Sequence, residues 1–93
     1  MERRLLTPDE LSEALAAIPA WSVDGGRLRR RFEFADFASA LSFVVRAGEA
    51  ADAMDHHPDI TLGWGYAEFA LTTHDRGGIT HLDIELARRI DRL

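Results

Sequence analysis

The chain lacks cysteine and lysine, has only three prolines and contains no long apolar run in its 93 residues. The absence of cysteine excludes a disulfide scaffold, a thiolate metal site and a cysteine nucleophile. No apolar stretch approaches the roughly 20 residues of a membrane-spanning helix, and the charged start lacks the apolar segment of a signal peptide. We therefore expect a cytoplasmic protein without a membrane partner.

What the chain does contain is typical of one small folded domain. Its length, with 46% hydrophobic and 29% charged residues, favours a single globular domain over residues 1–93. A chain this short has a small core, so association with further copies would add useful buried surface. The 11 arginines and 16 acidic residues leave a formal net charge of −5, which argues against a nucleic-acid partner.

Hydrophobic periodicity and turn residues predict seven elements in this chain. Hairpins, in place of regular strand–helix–strand alternation, favour an α+β fold in which three helices cover one face of a four-stranded antiparallel sheet. The first and last helices begin with capping-box patterns. The predicted order is a helix between Thr7 and Pro19, strands over 21–24 and 27–34, a helix from about Asp36 to no further than His57, strands over 59–62 and 66–73, and a helix after Thr80.

The second helix is predicted to place its apolar face along one stripe at helical spacing. Its alanines outside that stripe are interpreted as adding helix propensity and a flat surface. The stripe consists of Phe37, Leu41, Val44, Gly48 and Ala51.

Four arginines are concentrated in the second predicted strand. Alternation places Arg27, Arg29 and Arg31 on the polar face, opposite Leu28 and Phe32. We interpret this group as a solvated face that protects the sheet against aggregation. A nucleic-acid contact is the alternative, which the net negative charge disfavours.

The residues that suggest chemistry lie in the second half of the chain, where all four histidines occur. Asp52 and His56 are four positions apart and are expected to stack on one face of the last helical turn. His57 precedes a proline and must point elsewhere. His74 ends the long strand over 66–73, and Asp83 lies in the first turn of the last helix. We expect these groups to meet at one rim of the sheet, where loops commonly place functional residues.

Clustered histidines favour proton-transfer chemistry. The imidazole group gives or accepts a proton near neutral pH, since its ordinary pKa is about 6.5. Several such groups around one pocket suit an elimination of water, in which an acid protonates the leaving hydroxyl and a base removes the other proton. Acyl transfer has no support, because no serine lies in a nucleophile-elbow pattern.

Each candidate residue also has a structural interpretation. Helix capping explains Asp83, solvation at a helix end explains Asp55, and exposure explains His81. Trp64, between two glycines, is either a core residue or a surface on which a flat ligand stacks. A metal site is a further alternative, but the His-Glu-x-x-His spacing is absent, so we expect no metal ligand set.

The spacing of these residues resembles the motif of the pterin-4a-carbinolamine dehydratases. The resemblance covers nearly the whole chain, including flanking segments at 32–37, 71–74 and 78–80. Asp52 stands where glutamate is common in that family, and Trp64 where tyrosine is frequent. The motif consists here of Asp52, His56, His57, Pro58, Trp64, His74 and Asp83.

The resemblance implies a lyase that converts 4a-hydroxytetrahydrobiopterin to quinonoid dihydrobiopterin and water, without metal or organic cofactor. His56 and His74 would be the acid groups near the 4a-hydroxyl, and His57 would hold the pterin. Asp52 and Asp83 would orient the histidines. The resemblance leaves open which histidine handles which proton.

The same resemblance implies that Trp64 lines the pocket and that the partners include further copies of the chain. Family members form homodimers, often through sheet edges, and homotetramers, and they recycle tetrahydrobiopterin for aromatic amino-acid hydroxylases. Mammalian members are also dimerisation cofactors of a hepatocyte nuclear factor, a homeodomain transcription factor, through the second helix. A binding module and a pterin-related role outside hydroxylase recycling are therefore the alternatives.

Overall fold

A computed structural model describes residues 2–93 and has the predicted order of elements. Within these residues, no helix is long and apolar enough to cross a membrane. A 3₁₀ turn, His74–Arg76, precedes the last helix. The elements are α1 (Pro8–Ala16), β1 (Ser22–Asp24), β2 (Arg27–Glu33), α2 (Phe37–Met54), β3 (Asp59–Gly63), β4 (Tyr66–Leu71) and α3 (His81–Asp91).

The four strands form one antiparallel sheet in the order β1-β2-β4-β3. The central strands β2 and β4 place Leu28 opposite Leu71, and β3 places Ile60 opposite Phe69. Leu28, Phe69 and Leu71 are fully buried and join α2 and α3 in one hydrophobic core. The predicted α+β fold, with three helices over a four-stranded sheet, is confirmed.

The last strand is shorter than the sequence predicts, and this changes the setting of His74. The sheet ends at Leu71, and Thr73 instead pairs with Gly78 in an isolated bridge. His74 therefore begins the 3₁₀ turn and does not end a strand. The turn closes because the N–H of Gly77, which has a positive φ of 73°, donates to the carbonyl of His74 at 3.2 Å.

The orientation of α2 differs from the predicted stripe. Phe37 and Leu41, expected on its apolar face, are exposed. Phe43 points into the core, with ring centroids 4.7 Å from Phe32 and 6.0 Å from Phe69. These aromatic contacts set the rotation of the helix about its axis. Small alanines on the same side allow the helix to lie close to the sheet. The buried residues of α2 are Ala40, Phe43, Ala47 and Ala51.

Three arginines of β2, Arg27, Arg29 and Arg31, are paired with acids on the open face of the sheet, while Arg30 pairs with Asp91 of α3. Arg31 donates to Glu68 at 2.9 Å and to Glu33 at 3.0 Å, and these hydrogen bonds raise its pKa above the ordinary value. Arg27 donates to Asp59 at 2.5 Å. These contacts agree with the interpretation of a solvated face, and the ion pairs across it are an addition that the structure makes.

Candidate active site

The C-terminal end of α2 reverses the chain sharply. Asp55 adopts the left-handed conformation, with φ 51° and ψ 41°, which aspartate tolerates better than most residues. The N–H of His56 donates to the carbonyl of Ala51 at 3.1 Å, the hydrogen bond typical of a left-handed helix end. His56 is consequently buried and His57 exposed.

This reversal gives the two histidines different partners from those expected. His56 does not stack on Asp52, because the helix ends at Met54, one residue before the turn. Instead, Nε2 of His57 lies 2.7 Å from Oδ1 of Asp52 on the surface. The predicted Asp52–His56 contact is therefore wrong, and the predicted separation of the two histidine side chains is confirmed.

His56 pairs with Asp83 from the first turn of α3. Nε2 of His56 lies 2.6 Å from Oδ1 of Asp83, and both side chains are buried. The other carboxyl oxygen, Oδ2, accepts hydrogen bonds from Oγ1 of Thr73 and the N–H of Thr80, each at 2.9 Å. Asp83 therefore caps α3 and contacts His56 at the same time, while its role in a reaction stays a prediction.

Hydrogen-bond directions around Asp83 are set by the groups that must donate. The N–H of Leu82 donates to Oγ1 of Thr80, which in turn donates to Oγ1 of Thr73, since Thr73 uses its own proton for Asp83. A carboxyl group surrounded by donors favours the form of His56 that carries its proton on Nε2. The lone pair of neutral His56 then lies on Nδ1.

The other ring nitrogen of His56, Nδ1, takes no part in the contact with Asp83. Among residues 2–93, Nε of Arg88 is the one buried side-chain nitrogen or oxygen without a hydrogen-bond partner. Nδ1 of His56 has no partner within these residues either, but it is not one of these fully buried atoms. Part of its surface is therefore accessible to solvent. An oriented imidazole with one accessible nitrogen is suited to proton transfer with a bound molecule.

The three candidate histidines line one open cleft of about 360 Å³. His56 and His57 come from the end of α2 and His74 from the 3₁₀ turn. The ring of His74 is exposed and makes no hydrogen bond to the described part of the chain. The residues that line the cleft are Arg3, Asp55, His56, His57, Thr72, Thr73, His74 and Asp75.

Comparison with known proteins identifies the family. A sequence model described as Pterin 4 alpha carbinolamine dehydratase matches residues 4–93. The chain belongs to this family. Relatives from Mycobacteroides abscessus and Natronomonas pharaonis, provisionally named pterin-4-alpha-carbinolamine dehydratases, are 45% and 47% identical over 87 and 88 residues. These matches cover 94% and 95% of this chain, and 93% and 94% of the relatives.

Two solved structures are similar to this chain. A Brucella melitensis protein described as a transcriptional coactivator/pterin dehydratase has a TM-score of 0.89 and 38% identity, covering 97% of both chains. A pterin dehydratase-like protein, identified as a RuBisCO assembly factor in the alpha-carboxysome, has a TM-score of 0.64 and 20% identity. The match covers 77% of this chain and 83% of that protein's chain. At 20% identity it shows only that the two chains share a fold.

Trp64 is one motif residue of the dehydratase family that this chain does not bring to the histidine cleft. It lies at the tip of the β3–β4 hairpin, where Gly63 pairs with Tyr66, and its side chain is 73% exposed. The opposite end of β3, at Asp59, follows the histidines. At about 3.3 Å per residue, a five-residue strand separates Trp64 from that end by roughly 15 Å.

Thr73 and Arg3 are cleft residues that the sequence did not single out. Thr73 had a weak signal, a hydroxyl beside His74 at the end of a predicted strand. Arg3 had none, because its contact with Asp75 spans 72 positions of sequence.

Among residues 2–93, no three His, Asp or Glu side chains are placed to hold a metal ion. The absence of a metal from the chemistry stays a prediction.

Proposed function

We propose that this chain dehydrates 4a-hydroxytetrahydrobiopterin to quinonoid dihydrobiopterin. The observation that carries the proposal is the convergence of His56, His57 and His74 on one cleft, with His56 held by the buried Asp83. In this reaction the C4a–O bond breaks, the proton on N5 departs, and a C=N bond forms between C4a and N5. The hydroxyl leaves as water once it receives a proton.

The proposed roles follow from the setting of each side chain. His56 and His74 act as the acid groups near the 4a-hydroxyl. His56 has a ring oriented by Asp83, and the ring of His74 is exposed. The ring that protonates the leaving hydroxyl recovers a proton when N5 loses its own, so His56 in the acid role carries a proton on Nδ1 as well as on Nε2. His57 holds the pterin, and Asp52 orients the ring of His57 through the 2.7 Å contact between them. Asp83 is a positioning residue that acts through His56.

The test is the decay of chemically generated 4a-hydroxytetrahydropterin, followed by stopped-flow absorbance. Positioned acid–base groups typically contribute about 10²–10⁴-fold, so we expect the decay to be at least roughly 100-fold faster with equimolar protein than in buffer. A decay no faster than in buffer would refute the function. Stoichiometric zinc in the active protein would refute the metal-free mechanism.

The reaction suggests the wider role. The family resemblance implies a part in tetrahydrobiopterin recycling, so we propose a link to an aromatic amino-acid hydroxylase in the cytoplasm. A pterin-related reaction outside hydroxylase recycling would use the same cleft. A hydroxylase gene next to the gene for this chain would favour recycling, and its absence would favour the other role.

A binding role is the second candidate, and the exposed side of α2 favours it. Three exposed apolar residues repeat at four-residue spacing along this side of the helix: Phe37, Leu41 and Val45. Contiguous apolar surface of this kind marks an interaction site, and we propose homodimers or homotetramers. Analytical ultracentrifugation should show an oligomer that Leu41→Glu dissociates. One stoichiometric foreign partner, together with no dehydratase rate, would instead make binding the primary function.

A further inference from the structure

The histidine cleft has a wall formed by the start of the chain. Arg3 lines the cleft together with the histidines, and its Nη2 lies 2.5 Å from Oδ1 of Asp75. Asp75 directly follows His74 in the 3₁₀ turn. The ion pair lowers the pKa of Asp75 below its ordinary value, chiefly through the hydrogen bond from Arg3. One contact therefore links the N-terminal segment to the turn that carries a cleft histidine.

Apart from this contact, the turn that carries His74 is held by backbone hydrogen bonds within residues 73–78 and by the buried side chain of Thr73 at its start. It is a single turn, and Thr73 makes no side-chain cap to it. The N–H of Arg76 donates to the carbonyl of Thr73 at 3.0 Å, but this bond is internal to the turn. Among the described residues, the Arg3–Asp75 pair is the one ion pair from a side chain of this turn to a distant part of the chain.

The segment that carries Arg3 is itself held in place. The N–H of Leu6 donates to the carbonyl of Ile79 at 3.0 Å. Leu5 packs on Gly78, where an added Cβ would lie 3.0 Å from Cδ2 of Leu5. Arg3 is consequently presented to the turn by an anchored segment that runs beside it.

We propose that Arg3 is a positioning residue for His74. Through Asp75 it holds the 3₁₀ turn against the N-terminal segment and keeps the His74 ring at the cleft. An exposed ion pair adds little to global stability. A displacement of about 1 Å at a reacting group, in contrast, can lower a rate roughly 100-fold. The inference rests on the proposed dehydratase function for its catalytic consequence.

The chain offers a matched control, because Arg4 carries the same charge at the adjacent position. Arg4 pairs with Glu10 at 2.7 Å and lies outside the cleft. We expect Arg3→Ala to lower kcat about 10-fold with little change in KM or melting temperature, and Arg4→Ala to keep kcat within about twofold. Arg3→Lys, which retains the charge, should keep most of the rate. Equal kcat values for Arg3→Ala and Arg4→Ala, or for Arg3→Lys and Arg3→Ala, would overturn the proposal.

A second readout does not depend on catalysis. The amide protons of Arg76 and Gly77 both bond to the carbonyl of Thr73, so their hydrogen exchange reports opening of the turn. We expect exchange to rise roughly fivefold in Arg3→Ala and to stay unchanged in Arg4→Ala. If wild type is inactive but exchange responds, the positioning link stands and the proposed function fails. If wild type is active and Arg3→Ala alters neither exchange nor kcat, the positioning inference alone fails.

Discussion

Two histidine–aspartate pairs lie near the end of α2, and they differ in burial far more than in geometry. Nε2 of His56 lies 2.6 Å from Asp83, and Nε2 of His57 lies 2.7 Å from Asp52. The side chains of the first pair are 8% and 0% exposed, and those of the second are 57% and 79% exposed. Similar distances therefore describe one pair that is largely shielded from water and one that is surrounded by it.

The difference in burial assigns the two pairs different work. Asp83 also accepts hydrogen bonds from Thr73 and Thr80, so its removal would leave several buried donors without partners. The exposed pair gains only a modest energy at high dielectric, so Asp52 orients the ring of His57 without fixing it in place. A fixed histidine suits proton transfer and an adaptable one suits substrate binding, which is the division proposed above.

The largest expected effect comes from removing the buried carboxyl group. Asp83→Ala should lower the free energy of unfolding by about 3–5 kcal/mol, because the buried His56 and the donors from Thr73 and Thr80 lose their acceptor. Urea denaturation monitored by circular dichroism measures this loss. A destabilisation below about 1 kcal/mol would mean that burial does not distinguish the two pairs.

The next effect is on activity alone. His74→Ala should lower kcat about 100-fold, or about 2.7 kcal/mol in activation free energy. The melting temperature should stay unchanged, because the ring is exposed and makes no hydrogen bond to residues 2–93. His81→Ala is the matched control, since His81 is exposed at the first position of α3 and lies outside the cleft. Steady turnover by His74→Ala at the wild-type rate would remove His74 from the proposed mechanism.

A smaller effect is expected at the exposed pair. Asp52→Ala should destabilise the protein by at most about 1 kcal/mol, since it breaks a solvated contact. Its main consequence should be a rise in KM of about threefold, roughly 0.7 kcal/mol, with kcat retained, because His57 loses its orientation but not its ring. Initial rates at varied pterin concentration separate the two parameters. A loss in kcat equal to that of His74→Ala would contradict a purely binding role for His57.

The smallest effect concerns acid stability at a second exposed pair. Hydrogen bonds from Arg4 and Thr7 lower the pKa of Glu10 from 4.5 to about 2. A lowered folded-state pKa stabilises the protein above the unfolded value, and this contribution disappears as the pH falls from about 4.5 to about 2. Melting temperature should therefore fall more steeply over that interval in wild type than in Glu10→Gln. Parallel curves would contradict the pairing.

Local signals predicted most of the fold. The capping boxes at Thr7 and Thr80 have side-chain hydrogen bonds that involve only neighbouring residues, so their sequence patterns located both helix starts. Alternation in β2 located its buried face because a period of two leaves no other choice. The rotation of α2 was not predictable in the same way, since it depends on Phe43 packing with Phe32 and Phe69.

The site was predicted as a set of residues but not as a set of pairs. The family motif named the histidines. The left-handed conformation of Asp55 at the end of α2, however, turns His56 away from the expected partner, Asp52. Aspartate signals a left-handed helix end only weakly, so spacing alone favoured the wrong contact. Arg3 had no local signal, and Trp64 was assigned to the pocket by the motif although the hairpin places it at the far tip.

The most direct test of the account is single-turnover decay of 4a-hydroxytetrahydropterin with wild type and with His56→Ala, compared under identical neutral conditions. Circular dichroism first establishes that the variant is folded. The account predicts that wild type accelerates decay at least about 100-fold over buffer and that His56→Ala removes most of this acceleration. A folded His56→Ala protein that matches wild type, or a wild type that matches buffer, would contradict it.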